Sequence, residues 1–142
     1  MLKHIDSVIS PDLIKTLMEM GHGDELVLAD GNFPAQSHTD RCIRADGHSI
    51  SQLLKAILKL FPLDSYVESP VALMMHGPEI TKPAIWDQYD QILQSENQLV
   101  SVEHLERFAF YERAKKAYAI VATSEKQLYA NIILKKGVIS EE

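Results

Sequence analysis

An α/β fold is predicted for this chain: a single domain spanning residues 1–142, built in three layers, with a mostly parallel sheet and helices on both faces. Three observations lead there. Stripes of apolar residues at helical spacing alternate along the chain with short apolar runs of strand length. Those runs, Val71 to Met75 and Ala117 to Ala122 among them, are apolar at nearly every position, as strands buried on both faces require. No internal repeat, low-complexity segment or break in composition divides the sequence, so the layers belong to one unit.

Taken in order, Ser10-Pro11-Asp12 opens the first helix. Ser10 can cap it, Pro11 fits the first helical position, and Asp12 complements the positive end of the helix dipole. Leu13, Ile14, Leu17 and Met18 form its apolar stripe, and Gly21 supplies a stop that delivers the chain to His22. Glu25 to Ala29 reads as a buried strand, and Asp30 to about Asp40 as a polar loop too rich in Gly, Asn, Pro and Ser to be regular. Arg41 to Ala45 fits a short strand before an Asp46-Gly47 turn. Ile50, Leu53, Leu54, Ile57, Leu58 and Phe61 then mark the clearest helix, ending at Pro62.

Val71 to Met75 is the next strand, closed by His76-Gly77-Pro78, with Met74 and Met75 filling gaps in the core. A helix starts near Pro83 and carries Ile85, Trp86, Tyr89, Ile92 and Leu93 on one side. Val100 to Leu105 fits a strand, Arg107 to Lys116 a helix, and Ala117 to Thr123 a buried strand. Asn131 to Leu134 is the last strand, stopping at Lys135-Lys136-Gly137.

With 142 residues, such a domain buries about 70% of the surface of its unfolded chain and folds without disulfides. Apolar residues at 46% and charged residues at 24% disfavour disorder. A net charge of -6 argues against a nucleic-acid partner, which needs a basic face. The single Cys42 excludes an internal disulfide framework and a multi-cysteine zinc site, and suits a packing role in a reducing compartment. No apolar run approaches the length of a membrane span or of a signal-peptide core, so a cytoplasmic location with no membrane partner is expected.

The chemistry-bearing residues cluster at the ends of strands. His22 lies between Gly21 and Gly23 just before the first strand, and Asp30 stands just after it. The flanking glycines allow positive φ and close approach of another molecule. The same residues also fit a helix cap and two turns with His22 simply exposed. In Tyr129-Ala130-Asn131-Ile132 an extended backbone sends Tyr129 and Asn131 to one face, where a phenol and an amide suit sugar hydroxyls; an ordinary strand start fits as well. Arg107 can fork onto neighbouring oxygens or remain solvated, while Glu112 and Arg113 read as solvent-face charges. Phosphate loops, dinucleotide fingerprints and serine nucleophile elbows are missing. Six histidines occur, none in a ligand spacing, so a metal site is not expected; His4 and His104 read as surface residues.

Three blocks resemble one family: Gly21-His22-Gly23-Asp24-Glu25 through Asp30-x-x-Phe33-Pro34, Arg107-Phe-Ala-Phe-Tyr-Glu-Arg-Ala, and Tyr129-Ala-Asn-Ile-Ile-Leu-Lys-Lys-Gly-Val. With Ile43-Arg-Ala-Asp-Gly47, they are similar to the L-fucose mutarotase branch of the sugar mutarotase and ribose pyranase family over residues 10–138. The ribose pyranase branch lacks the Arg107 block, which makes Arg107 the discriminator. Gly31 replaces a more usual Ala, and Gln36 stands where some relatives have His.

The resemblance implies an isomerase that interconverts the α and β anomers of L-fucose without cofactor or metal. His22 would be the catalytic acid/base, with Asp30, Arg107, Tyr129 and Asn131 holding the sugar. It also implies a homo-oligomer, a ring of five or ten subunits with pockets near subunit contacts. Ribose pyranase activity, a non-catalytic monosaccharide-binding role and a purely structural oligomerising domain are the alternatives. The chemistry suits the residues independently, since ring opening moves one proton off the anomeric hydroxyl and one onto the ring oxygen. Histidine titrates in the range that serves both duties.

Overall fold

In a computed structural model describing residues 1–96 and 98–141, five helices and six strands follow one another in the order α1 (Pro11–Glu19), β1 (Glu25–Ala29), α2 (Ala35–His38), β2 (Cys42–Ala45), α3 (Ile50–Leu58), β3 (Val71–Met74), α4 (Ala84–Ser95), β4 (Val102–Leu105), α5 (Arg107–Lys116), β5 (Ala119–Thr123) and β6 (Ile132–Lys135). The strands form one sheet in the order β2-β5-β1-β6-β3-β4. Pairings β2 with β5, β5 with β1 and β3 with β4 are parallel, and β6 runs antiparallel between β1 and β3.

Alternation along the strands assigns side chains to the two faces. Leu26 and Leu28 of β1 join Leu13, Leu17, Leu53, Leu54, Ile57, Ile85 and Tyr89 in a core under α1, α3 and α4. Val27 and Ala29 face the other way, onto Phe33, Ala35, Phe110 and Ala114 from α2, its approach and α5. The expected three layers, mostly parallel sheet and helices on both faces are therefore present. The lone antiparallel strand has a simple cause: the link from Thr123 to Ile132 is too short for the crossover of a dozen or so residues that a parallel return needs.

Local chemistry sets the element ends. Ser10 caps α1 by accepting the Leu13 N–H at 3.1 Å. Ser49 and Gln52 close a capping box at the start of α3. The stop after α1 differs from expectation: Met20 caps it in an extended conformation, and Gly23, not Gly21, takes positive φ at +86° in the turn that follows. Part of the loop after Asp30 is ordered as the single turn α2, because Ala35 is buried under β5 and anchors it.

Arg113 is also placed differently. Rather than facing solvent, its Nε donates to both Glu25 oxygens at 3.1 and 3.0 Å, its Nη2 to Glu25 Oε2 at 2.6 Å, and its Nη1 to Glu103. Its neighbours Phe110 and Ala114 are fully buried, so Arg113 sits at the border of the packed face of α5, where its guanidinium reaches β1 and the edge strand β4. The two carboxylates hold its already high pKa higher still, partly offset by burial.

Candidate functional site

The carboxyl ends of β1, β3 and β4 and the start of β6 meet at one edge of the sheet, where a crevice is expected in an open α/β fold. A cleft of about 220 Å³ lies there. Asp30, Arg107, Tyr129 and Asn131 all line it, together with Asn32, Phe33, Met74, Tyr111 and Leu128. Four of the five residues singled out in the sequence thus share one crevice, with polar groups and ring faces mixed as in a sugar site.

Asp30 and Asn131 are locked to each other by the backbone. Asn131, buried at the start of β6, accepts the Asp30 N–H through Oδ1 at 2.7 Å, which leaves its NH₂ as the donor for the cleft. The Asp30 carboxylate accepts the Asn32 N–H at 2.9 Å, an Asx turn closing the strand. Burial raises the Asp30 pKa above the ordinary aspartate value, against the lowering effect of the Asn32, Phe33 and Asn131 hydrogen bonds. Arg107 opens α5, and its guanidinium lies over the rings of Phe108 and Tyr111, 5.9 and 5.6 Å from their centroids. Tyr111 follows Arg107 by one helical turn and so shares its face, a spacing that could have flagged it from the sequence.

Tyr129 reaches the cleft by an unexpected route. It is not in a strand; its φ is +57°, left-handed backbone that side-chain-bearing residues seldom adopt. Its alternation with Asn131 therefore fails as a strand argument, although both residues do face the cleft. The Trp86 indole N–H donates to the Tyr129 carbonyl at 2.8 Å, and the Tyr89 hydroxyl donates to the next carbonyl, Ala130, at 2.5 Å. Burial pushes the Tyr89 phenol far above its ordinary range, so it stays a neutral donor.

His22 lies elsewhere. It precedes β1, whereas Asp30 follows it, and a five-residue strand separates its ends by about 13 Å. There, His22 Nε2 is 3.0 Å from Asp64 Oδ1, and its ring is 5.2 Å from that of Tyr66. The imidazole is 44% exposed while the Asp64 side chain is 3% exposed. Asp64 also accepts the Tyr66 N–H at 3.0 Å, and this bond followed by that to His22 holds its carboxyl below the usual range despite burial. With an ionised Asp64 accepting from Nε2–H, a neutral imidazole here carries Nδ1 as its acceptor nitrogen.

The Asp64 segment is itself pinned to the end of β6. Asp64 N–H donates to Lys135 O at 3.0 Å and Gly137 N–H to Pro62 O at 2.8 Å. A β-carbon on Gly137 would lie 2.6 Å from the Leu63 carbonyl oxygen, so only glycine allows this approach. Nothing in the local sequence singled out Asp64; it is 42 residues from His22, and only the fold joins them.

The chain therefore carries a cleft lined by Asp30, Arg107, Tyr129 and Asn131 at one end of the β1/β6 pair and a carboxylate-supported imidazole at the opposite end. Among the described residues no group of three or more His, Cys, Asp or Glu is arranged to hold a metal, and no helix is long and apolar enough to cross a membrane.

The model of the RbsD / FucU transport protein family matches residues 3–139. A fucose mutarotase of Danio rerio is 53% identical, over 99% of this chain and 96% of its own length. An L-fucose mutarotase of Actinobacillus pleuropneumoniae is 51% identical, over 97% of each chain. Among solved structures, the fucose mutarotase of Streptococcus pneumoniae in complex with L-fucose superposes with a TM-score of 0.94 at 56% identity, over 98% of this chain and all of that one. Bacillus subtilis RbsD complexed with D-ribose, at 24% identity and a TM-score of 0.73 over 99% of this chain and 100% of that one, shares the fold.

Proposed function

The chain belongs to the RbsD / FucU transport protein family, and from that premise we propose that it is an L-fucose mutarotase, an isomerase that interconverts the α and β anomers of L-fucose by opening and reclosing the pyranose ring. The observation that carries this reading is the convergence of Asp30, Arg107, Tyr129 and Asn131 on one cleft in a chain so similar to fucose mutarotases. We read residues 1–142 as one mutarotase-like domain acting in the cytoplasm.

In the cleft, Asp30 accepts and Arg107 donates hydrogen bonds that orient the sugar hydroxyls. Asn131 donates through its NH₂, and the Tyr129 ring and hydroxyl grip the ring. Opening passes the proton of the anomeric hydroxyl to solvent water, forms the C1 carbonyl, breaks the bond from C1 to the ring oxygen and leaves that oxygen protonated; reclosure reverses both transfers. Rotation about C1–C2 and reclosure on the other carbonyl face give the other anomer. His22 supplies the proton at the ring oxygen, and Asp64, kept ionised, supports the imidazolium that must donate it. Positioned proton transfer of this kind contributes about 10²–10⁴-fold, or about 3 to 5 kcal/mol, enough for a reaction that already proceeds in water.

His22 and the cleft occupy opposite ends of the β1/β6 pair, so one chain cannot bring them to the same sugar. The site is completed between copies: the histidine edge of one subunit meets the cleft edge of the next. A head-to-tail contact gives a ring where its rotation closes, and a homo-oligomeric ring of five or ten subunits is the assembly that the family resemblance implies.

The test is saturation-transfer NMR on L-fucose and D-ribose with wild type and His22→Ala. Faster anomer exchange for L-fucose, lost in His22→Ala, is the expected result. Acceleration for ribose alone would overturn the substrate, and binding without acceleration would reassign the protein to sugar carriage.

A further inference from the structure

The left-handed backbone at Tyr129 is held in place from behind, and the residues that hold it belong to none of the roles described above. Trp86 and Tyr89 are three apart on α4, so both point from one face of the helix toward the segment before β6. Trp86 is 6% and Tyr89 1% exposed. They donate to two consecutive carbonyls, those of Tyr129 and Ala130, at 2.8 and 2.5 Å. Trp86 in turn packs beside two imidazoles, its ring 5.5 Å from His76 and 4.9 Å from His104. His76 is fixed by a 2.8 Å bond between Nδ1 and the Gly77 carbonyl.

A non-glycine residue at positive φ persists only where its surroundings over-determine it. The Trp86 donor fixes the peptide plane that follows Tyr129 and the Tyr89 donor the next one, so α4 anchors the turn on the C-terminal side of Tyr129. Relaxation to negative φ would swing the phenol away from Asn131, because the side-chain direction follows the backbone.

We propose that Trp86 and Tyr89 are positioning residues of the sugar site. By holding the 129 and 130 carbonyls they keep Tyr129 left-handed and its ring in the cleft before the sugar arrives. This rests on the reading of the cleft as the L-fucose site. Without the clamp, only a fraction of molecules presents a binding-competent Tyr129, and the apparent affinity falls by that fraction while the occupied site reacts as before.

The experiment compares wild type, Trp86→Phe and Tyr89→Phe by saturation-transfer exchange over a range of L-fucose concentrations. Each variant keeps its ring and loses one donor. KM is expected to rise about tenfold in either variant, with kcat changed by less than about threefold. In a Tyr129→Ala background the same substitutions should raise KM no further, since the residue they act through is gone. Trp86 is the only tryptophan, so its indole N–H gives a single resonance in the wild type, which should shift as L-fucose is added. That titration needs no variant and keeps the idea testable should Trp86→Phe fail to fold.

Unchanged KM in the folded variants, an equal rise with and without Tyr129, or an indole resonance indifferent to saturating sugar would each overturn the positioning role. Failure of the wild type to accelerate exchange would instead overturn the reading of the cleft, and the positioning role with it.

Discussion

Mixed oligomers provide the sharpest test of a site shared between copies. His22→Ala should lose about 10²–10⁴-fold in exchange rate, the usual worth of a positioned acid/base. Asp30→Ala, at the other end of β1, should be similarly impaired because the sugar loses the carboxylate that orients it. The five residues of β1 hold the two positions about 13 Å or more apart, beyond the reach of one monosaccharide. When the two inactive variants are mixed in equal amounts and allowed to reassemble, a site is whole if its cleft comes from a His22→Ala chain and its imidazole from an Asp30→Ala chain. Random assembly gives each condition a chance of one half, so about a quarter of the sites should be active. The assay is L-fucose exchange by NMR on the refolded mixture, with native mass spectrometry confirming that subunits have exchanged. Mixed oligomers with no recovered activity would refute the shared site, because a site within one chain is broken in every copy.

Asp64→Asn should lower kcat by about 10- to 100-fold with little change in KM, as expected for the group that orients an acid/base. The folded Asp64 pKa is lowered, so its stabilisation is complete above the unfolded carboxylate range and fades as pH falls through the folded value; denaturation of wild type and variant should converge at low pH. Asp30 is the reverse case. Its folded pKa is raised, so ionisation costs stability as pH climbs through that range, and Asp30→Asn should melt higher than wild type at neutral pH while losing sugar exchange. Arg113→Met should cost about 2 kcal/mol in urea denaturation, between the values for exposed and fully buried pairs, since it strands two partly buried carboxylates. Gly137→Ala should cost about 1–3 kcal/mol for overpacking against Leu63 and, by moving Asp64, reduce exchange as well.

The sequence signals that proved legible are the local ones. Glu25–Ala29 was readable as β1 because five residues between turn formers can only be a short strand, and Ser10-Pro11 marked the start of α1 because capping is decided within three residues. Continuous apolar runs likewise announced a sheet covered on both sides. Contacts between distant segments left no such mark. Glu25 and Arg113 are 88 residues apart, and neither position reveals that its charge is matched until α5 packs across β1. Tyr129 is harder still, because its conformation is imposed by donors on α4, Trp86 lying 43 residues before Tyr129 and Tyr89 lying 41 before Ala130. Asp30, Arg107, Tyr129 and Asn131 could be named in advance through the family likeness, and the separation of His22 from Asp30 was already implicit in the five-residue strand between them.

That separation has a bearing on how activity depends on assembly. Where each molecule presents its imidazole to one side and its crevice to the other, a closed circle leaves no working part idle. A row that stays open wastes one of each at its termini, and a lone molecule has nothing to work with. Dilution below the assembly threshold should therefore extinguish turnover faster than it removes folded protein, so that catalysis itself reports whether the circle is complete.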